Sequence, residues 1–472
     1  MKKLCALILV GMFFIGCAGN QYSSQEVPVP EVSDYRTGTE QKKFDNATLD
    51  FGEELKLKES VKLALSQSPQ IGMQERQVQA RQASLKESRG KRLPNLSVKS
   101  SANHYLNEQP LAGGSSPGDP GTWSDDQVGA DLVLELPLFT GGGLIHRVSA
   151  ARLLHKSSRR TLGRTRKEVV FNITSTFYAI LKQRRVVESL RFSRRAVEQQ
   201  KQDIEALIKN EKGIKADLLR VKVRLADLEQ QIITANNRLD ALNRLLANQM
   251  GIKTREDRLP VQGELSFDSA DPDDDVSLQD AYSQRNDYQA LKTRVVAARK
   301  SLAASRAEYW PNVELQSSYG GRWAVGDSTQ QPGASDSADV GSIGVYLKLP
   351  LFTGGEISAG VAKKQAELSS LEERLRDLKL RIRREVQDSA DSVRSAREKV
   401  QMTRTAIDAA KEALNIKKAK YNLGKTTISE FLDSQADLLG AQTDLARALG
   451  EYNTARARLE LAKGTILQGI KK

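Results

Sequence analysis

Aromatic residues make up only 5% of this 472-residue chain, which has three histidines, two cysteines and five methionines. With 39% hydrophobic and 28% charged residues, the composition suits long solvated helices better than one large globular core. His146 and His155 lie nine apart, not at the i, i+4 spacing of a helical metal pair, and His104 falls on an expected strand. No nucleophile and base can be paired. Thr140-Gly141-Gly142-Gly143 lacks the Gly-Lys-Ser/Thr of a phosphate loop; it reads as a bend from strand to helix, with Thr140 as the helix cap. Asp271, Asp273, Asp274 and Asp275 form an acidic run, but no glycine sits at the sixth position of a calcium loop and Tyr282 replaces its terminal glutamate. Five methionines, one of them the initiator, give no support to a soft-metal relay. The residues thus predict no enzyme, no metal site and no resident cofactor. The formal charge of +13 reads as solvated helix faces, since no motif interleaves basic with aromatic residues as a nucleic-acid surface would.

The chain opens with Lys2 and Lys3 before an apolar run from Leu4 to Ile15. That run is too short to span a bilayer as a helix and fits a secretory leader over 1–16. Phe14-Ile15-Gly16-Cys17 resembles a bacterial lipobox, which would make Cys17 the lipidated N-terminus, a covalent lipid being the one attached group expected. Ala18 points to the outer membrane by resemblance to lipoprotein sorting rules. Cys5 leaves with the leader, so no intramolecular disulfide is expected. Residues 17–54, with Pro28 and Pro30, show no period and read as a tether.

Leu136-Pro137-Leu138-Phe139-Thr140-Gly141-Gly142 recurs in the second half as Leu349-Pro350-Leu351-Phe352-Thr353-Gly354-Gly355. Leu93-Pro94-Asn95 and Trp310-Pro311-Asn312 form a second pair, each expected to end a helix and begin a strand. In the first half a helical pattern runs unbroken from Gly142 to about Asn210, with Ile173, Ile180 and Val187, then Leu190, Val197 and Ile204, at seven-residue steps. A return helix carries Leu218, Leu225, Ile232, Leu239 and Leu246; Phe431, Leu438, Leu445, Tyr452 and Leu459 repeat them at the same offset that separates the two Leu-Pro-Leu-Phe-Thr-Gly-Gly stretches. The chain therefore divides into a unit at 55–251, a linker at 252–276, a second unit at 277–464 and a tail at 465–472.

Four stretches alternate apolar and polar residues over roughly ten positions, a length suited to membrane barrel strands. Asn107 to Gln127, rich in Gly, Ser, Pro and Asp, reads as the loop between the first two. Four strands cannot close a barrel, and open edges are not tolerated in hydrocarbon. Several chains must supply the strands, and the same oligomer could close the helices into a tube.

Together, in duplicate and in order, these stretches closely resemble the TolC-type outer-membrane efflux proteins, in their lipoprotein branch. The resemblance covers nearly all of Leu55 to Gly464 and includes Tyr421-Asn422-Leu423-Gly424-Lys425-Thr426-Thr427-Ile428-Ser429-Glu430-Phe431-Leu432-Asp433. It implies a mainly α protein with a membrane β-barrel. Duplicated units of long coiled-coil helices and four strands per chain would close as a homotrimer with a twelve-strand β-barrel and a twelve-helix α-barrel. It also implies an exit duct anchored in the outer membrane of a Gram-negative bacterium and extending into the periplasm, with a periplasmic adaptor and an inner-membrane pump as partners.

By the same resemblance Glu430 and Asp433, one helical turn apart, form gate rings of carboxylates, and Tyr421, Asp217 and Thr426 match latch positions. Thr426 stands where the family has a basic residue, with Lys425 beside it. Gly213, Leu423, Gly424 and Lys425 are the tips expected to dock the adaptor, and the first tip turn reads as two residues shorter than the second. The competing reading is a lipid-anchored coiled-coil scaffold, which has no use for duplicated alternating strands.

Overall fold

The computed structural model describes residues 54–111, 121–252, 258–268, 278–326 and 328–469. The leader, Cys17, the tether before Glu54, the run Asp271 to Asp275 and the last three residues lie outside the described residues.

Helices α1 (Leu57–Gln67) and α2 (Pro69–Gly90) lead into strands β1 (Asn95–Pro110) and β2 (Thr122–Thr140). The 67-residue helix α3 (Gly143–Lys209) then runs away from the sheet, and the 36-residue α4 (Lys215–Met250) returns. The second half repeats the scheme with α5 (Leu278–Gln284), α6 (Asn286–Arg306), β3 (Asn312–Ala324), a short β4 (Ser328–Gln330) and β5 (Ser337–Lys348). Helices α7 (Glu356–Asn422) and α8 (Ile428–Lys463) again have 67 and 36 residues, and α9 (Ile466–Gly469) follows. Every boundary of α7 and α8 lies at one constant offset from its counterpart in α3 and α4, so the repeat legible in the motifs is a repeat of whole elements.

The bends from sheet to long helix depend on glycine. Gly141 and Gly142 have φ of 59° and 81°, and Gly354 and Gly355 have 59° and 88°, a region that side chains on Cβ disfavour. A Cβ on Gly141 would also sit 2.5 Å from that of Trp310. The cap of α3 is Gly142 rather than the expected Thr140. The threonine still contributes, because its Oγ1 accepts a 3.3 Å hydrogen bond from the Leu144 amide.

The predicted seams are core. Ile173, Ile180, Val187, Leu190, Val197 and Ile204 are buried, as are Val386, Val393 and Val400. Ile407, Leu414 and Tyr421, which continue that second row toward the tip, are only half-buried. The lower seam of α7 is therefore incompletely covered within one chain.

The sheet has the order β1-β2-β3-β5, antiparallel throughout, with β4 pairing β2. Register aligns the apolar residues on one face: Val98 opposite Leu132, Leu136 opposite Leu315, Leu315 opposite Val345. That face is uncovered, with Ile343 75%, Val98 73% and Leu347 66% exposed. A soluble sheet would bury such a face. β1 and β5 are the outer strands, each with a free edge among the described residues.

Two expectations about the strands are corrected. The four principal strands have 16, 19, 13 and 12 residues rather than roughly ten, and the loop read at 107–127 is shorter because β1 runs to Pro110 and β2 starts at Thr122. Polar side chains hold those extensions. Thr122 Oγ1 donates to the Ser335 carbonyl at 2.9 Å and Gln127 Nε2 to the Gln109 carbonyl at 2.9 Å, so hydropathy patterning gave no sign of them.

The stretch read as a linker is a strap where it is described. Leu55 and Val261 form a parallel bridge, the Leu259 amide donates to Asn243 on α4, and Tyr452 and Asn453 on α8 donate to the carbonyls of Asp268 and Ser266. Among the described residues no helix is long and apolar enough to cross a membrane.

Candidate functional site: the helix tips

The strand-to-helix bends send α3 and α7 away from the sheet, and their far ends turn back through five residues each, Asn210 to Ile214 and Leu423 to Thr427. The expected two-residue difference between the turns is therefore overturned. Glu211 (φ 61°) and Gly424 (φ 70°) occupy the same left-handed position in the two copies of the turn. Gly213 is no counterpart of Gly424: it is required by a close approach, since a Cβ there would lie 2.6 Å from the Ile208 amide nitrogen. The ends expose Ile214 (64%) and Leu423 (68%), with Gly424 and Lys425 also at the surface.

Glu430 stands in the first turn of α8. Its amide donates to the cap residue Thr427, 3.3 Å, and its Oε2 accepts from Lys417 Nζ at 2.5 Å and from Thr426 Oγ1 at 2.6 Å. The hydrogen bond from Lys417, followed by that from Thr426, holds this carboxyl below the usual glutamate range. Asp433, one turn along, is exposed and has no partner among the described residues. The two expected gate carboxylates are thus unlike: one is tied back to α7 and one is free.

Tyr421 packs its ring on Phe431 with centroids 5.5 Å apart and planes 11° from parallel. Burial, then the nearby Asp217 carboxylate, pushes its phenol up, while a hydrogen bond with Gln200 of α3 pulls the other way. No hydrogen bond joins Tyr421 to Asp217 among the described residues. Tyr421 and Asp217 therefore lie near each other but are not directly bonded among the described residues, and Thr426 binds Glu430 rather than either of them. These side chains close over a core shared by α3, α4, α7 and α8, in which Ile204, Val221, Ile428 and Phe431 are buried.

Sequence reasoning missed Lys417 and Gln200. Lys417 lies four residues before Tyr421 on the same helix, and this spacing was the available signal.

A family model described as "Outer membrane efflux protein" matches residues 60–251 and, a second time, 277–465. The chain belongs to the outer membrane efflux protein family. Solved structures of similar fold include the outer membrane protein VceC of Vibrio cholerae, 19% identical, with a TM-score of 0.71 over 86% of this chain and 96% of that one. The CmeC outer membrane channel of Campylobacter jejuni is 15% identical, with a TM-score of 0.74 over 87% of this chain and 86% of that one. The alkaline protease secretion protein AprF of Pseudomonas aeruginosa is 22% identical over 274 residues, 57% of this chain. The match spans 56% of AprF, little over half the length of that curated relative. The two segments matched by the efflux family model correspond to the two repeats of strands and long helices described above.

Proposed function

We propose that this chain is one protomer of an outer-membrane exit duct that passively conducts cargo delivered by an inner-membrane pump through a periplasmic adaptor. It catalyses no reaction. Three copies place twelve principal strands in one barrel and their long helices in one periplasmic tube. The observation that carries the reading is a sheet with an uncovered apolar face and two free edges, built by the same repeat that builds the coiled-coil body. Hydrocarbon accepts that face, and neighbouring copies satisfy those edges.

The tips form the gate. Asp433, free and exposed, supplies the cation-attracting ring in a threefold assembly, and Glu430 acts chiefly as a tie between α7 and α8. Gly213, Leu423, Gly424 and Lys425 form the end that meets the adaptor, and Cys17 carries the lipid anchor. Ion conductance of the full-length lipidated protein in planar bilayers tests the duct. A small cation-selective conductance, losing selectivity in Asp433→Ala and rising in Glu430→Ala, is the expected outcome. Channels indifferent to both changes remove the gate, and verified oligomers that never conduct favour the coiled-coil scaffold instead. Loss of the lipid-modified mass in Cys17→Ser tests the anchor.

A further inference from the structure

The +13 charge is unevenly placed. Positions 143–167, the start of α3, carry eight Lys or Arg and no Asp or Glu, whereas the equivalent positions 356–380 of the second repeat have five of each sign. This excess is therefore not a property of the duplicated unit.

Part of it is neutralised. Arg147 pairs with Glu308 at 2.9 Å, and both line an open concavity of about 870 Å³ between sheet and helices. Arg152 lies five residues beyond Arg147, about 140° round the helix at 3.6 residues per turn, and Arg159 repeats it seven residues on. Arg306 ends α6 two residues before Glu308, which lies in a 3-10 turn over Ala307–Tyr309, and at three residues per turn the two are about 120° apart. Arg152, Arg159 and Arg306 therefore face away from the concavity. All three are exposed, and none has a partner among the described residues. α3 packs between α2 and α6, and α6 between α3 and α7, all of the same chain, so side-by-side assembly of copies leaves this face open.

Where helices meet sheet the chain exposes Tyr309 (51%), Trp310 (62%), which also borders the concavity, Leu351 (89%) and Phe352 (90%), the kind of aromatic and apolar belt that marks a membrane–water boundary. Arg306 is four residues from Trp310. Arg152 lies nine residues below the start of α3, about 14 Å at 1.5 Å per residue, and Arg159 about 24 Å. With a headgroup layer of about 5–8 Å and a Debye length of about 8 Å, lipid phosphates reach Arg306 and Arg152 but not Arg159.

We infer that Arg152 and Arg306 form a cationic collar, beneath the barrel and outside the duct, that binds the headgroups of anionic phospholipids in the periplasmic leaflet. The placement rests on the outer-membrane duct reading. The full-length protein is equilibrated in vesicles of phosphatidylglycerol and phosphatidylcholine in equal parts, extracted in mild detergent, and its co-purifying lipid is counted. Phosphatidylglycerol is enriched with the wild type, and Arg152→Gln/Arg306→Gln lowers the enrichment by about fivefold per charge. Arg159→Gln leaves it unchanged, and Arg152→Lys/Arg306→Lys keeps most of it, separating loss of charge from loss of fold. No enrichment in the wild type, no loss in the double glutamine variant, or an equal loss in Arg159→Gln overturns the collar. Conductance of the same samples reports on the duct separately: channels without lipid preference remove only the collar, and lipid preference without channels removes only the duct.

Discussion

Lys417 and Glu430 are joined across the second tip turn by a 2.5 Å contact between Nζ and Oε2. The lysine lies in the last turns of α7 and the glutamate in the first turn of α8, so the pair clamps the hairpin at its narrow end. Lys417→Met takes the cation off this carboxylate, leaving it the Thr426 hydroxyl alone, and in a threefold assembly adds a second uncompensated acidic ring beside Asp433. Higher cation selectivity in planar bilayers is expected. Thermal stability should change little, because an exposed ion pair contributes weakly.

The same pair predicts a pH response. Glu430 is held below its ordinary value of 4.5 by Lys417 and Thr426, so the stabilising tie is complete above that value and is lost as pH falls through the lowered folded one. Conductance should be flat from neutral pH down to about 4.5 and change only in stronger acid. In Lys417→Met the change moves to higher pH. A titration in which wild type and variant coincide would exclude Lys417 as the partner that matters.

At the equivalent left-handed positions, Glu211 and Gly424 predict opposite responses. Gly424→Ala places a Cβ at φ 70° and should cost about 1–2 kcal/mol. Glu211→Gly relieves that strain at the other turn but adds freedom to the unfolded chain, for a net gain below about 1 kcal/mol. Urea unfolding of the two variants checks both signs.

Arg285 is 2% exposed, and its guanidinium donates to both oxygens of Asp287, at 3.1 and 2.6 Å, and to Glu385 of α7 at 2.6 Å. Burial alone would raise the Asp287 carboxyl, but its bonds to Arg285 outweigh that and hold it below the usual range. Among the described residues, Arg285→Ala removes every guanidinium on these two acids except the more distant Arg164, 3.9 Å from Asp287. Destabilisation toward the lower end of about 3–5 kcal/mol is expected, since Glu385 is 45% exposed. The wild-type contribution persists above the ordinary carboxylate range and fades in acid, so the difference between wild type and variant should shrink below about pH 4.

The long helices were legible because seven-residue apolar spacing has one physical outcome over so many turns, and a duplicated motif doubled every signal. The sheet core was legible for a similar reason, since Val128 to Leu138 alternate at every position but Val133. The ends of the strands were not, because Thr122 and Gln127 are held by hydrogen bonds that leave no hydropathic trace. At the tips, the residue types named the region but not the bonds. Glycine is the usual occupant of a left-handed position, yet in the first turn Glu211, and not Gly213, fills that place. The role of Lys417 depends on which turn brings α8 back beside α7, a fact of geometry rather than composition.

The free edges of β1 and β5 have a consequence for how the protein comes to exist. A lone chain entering hydrocarbon would carry two rows of unsatisfied amide and carbonyl groups, each costing several kcal/mol. In the proposed duct, copies must meet before or during insertion, so the membrane form would obey mass action: dilution opposes it, and its apparent stability rises with the amount of protein present. Supply of newly made chains then sets how many ducts form, independently of the strength of any contact within one chain.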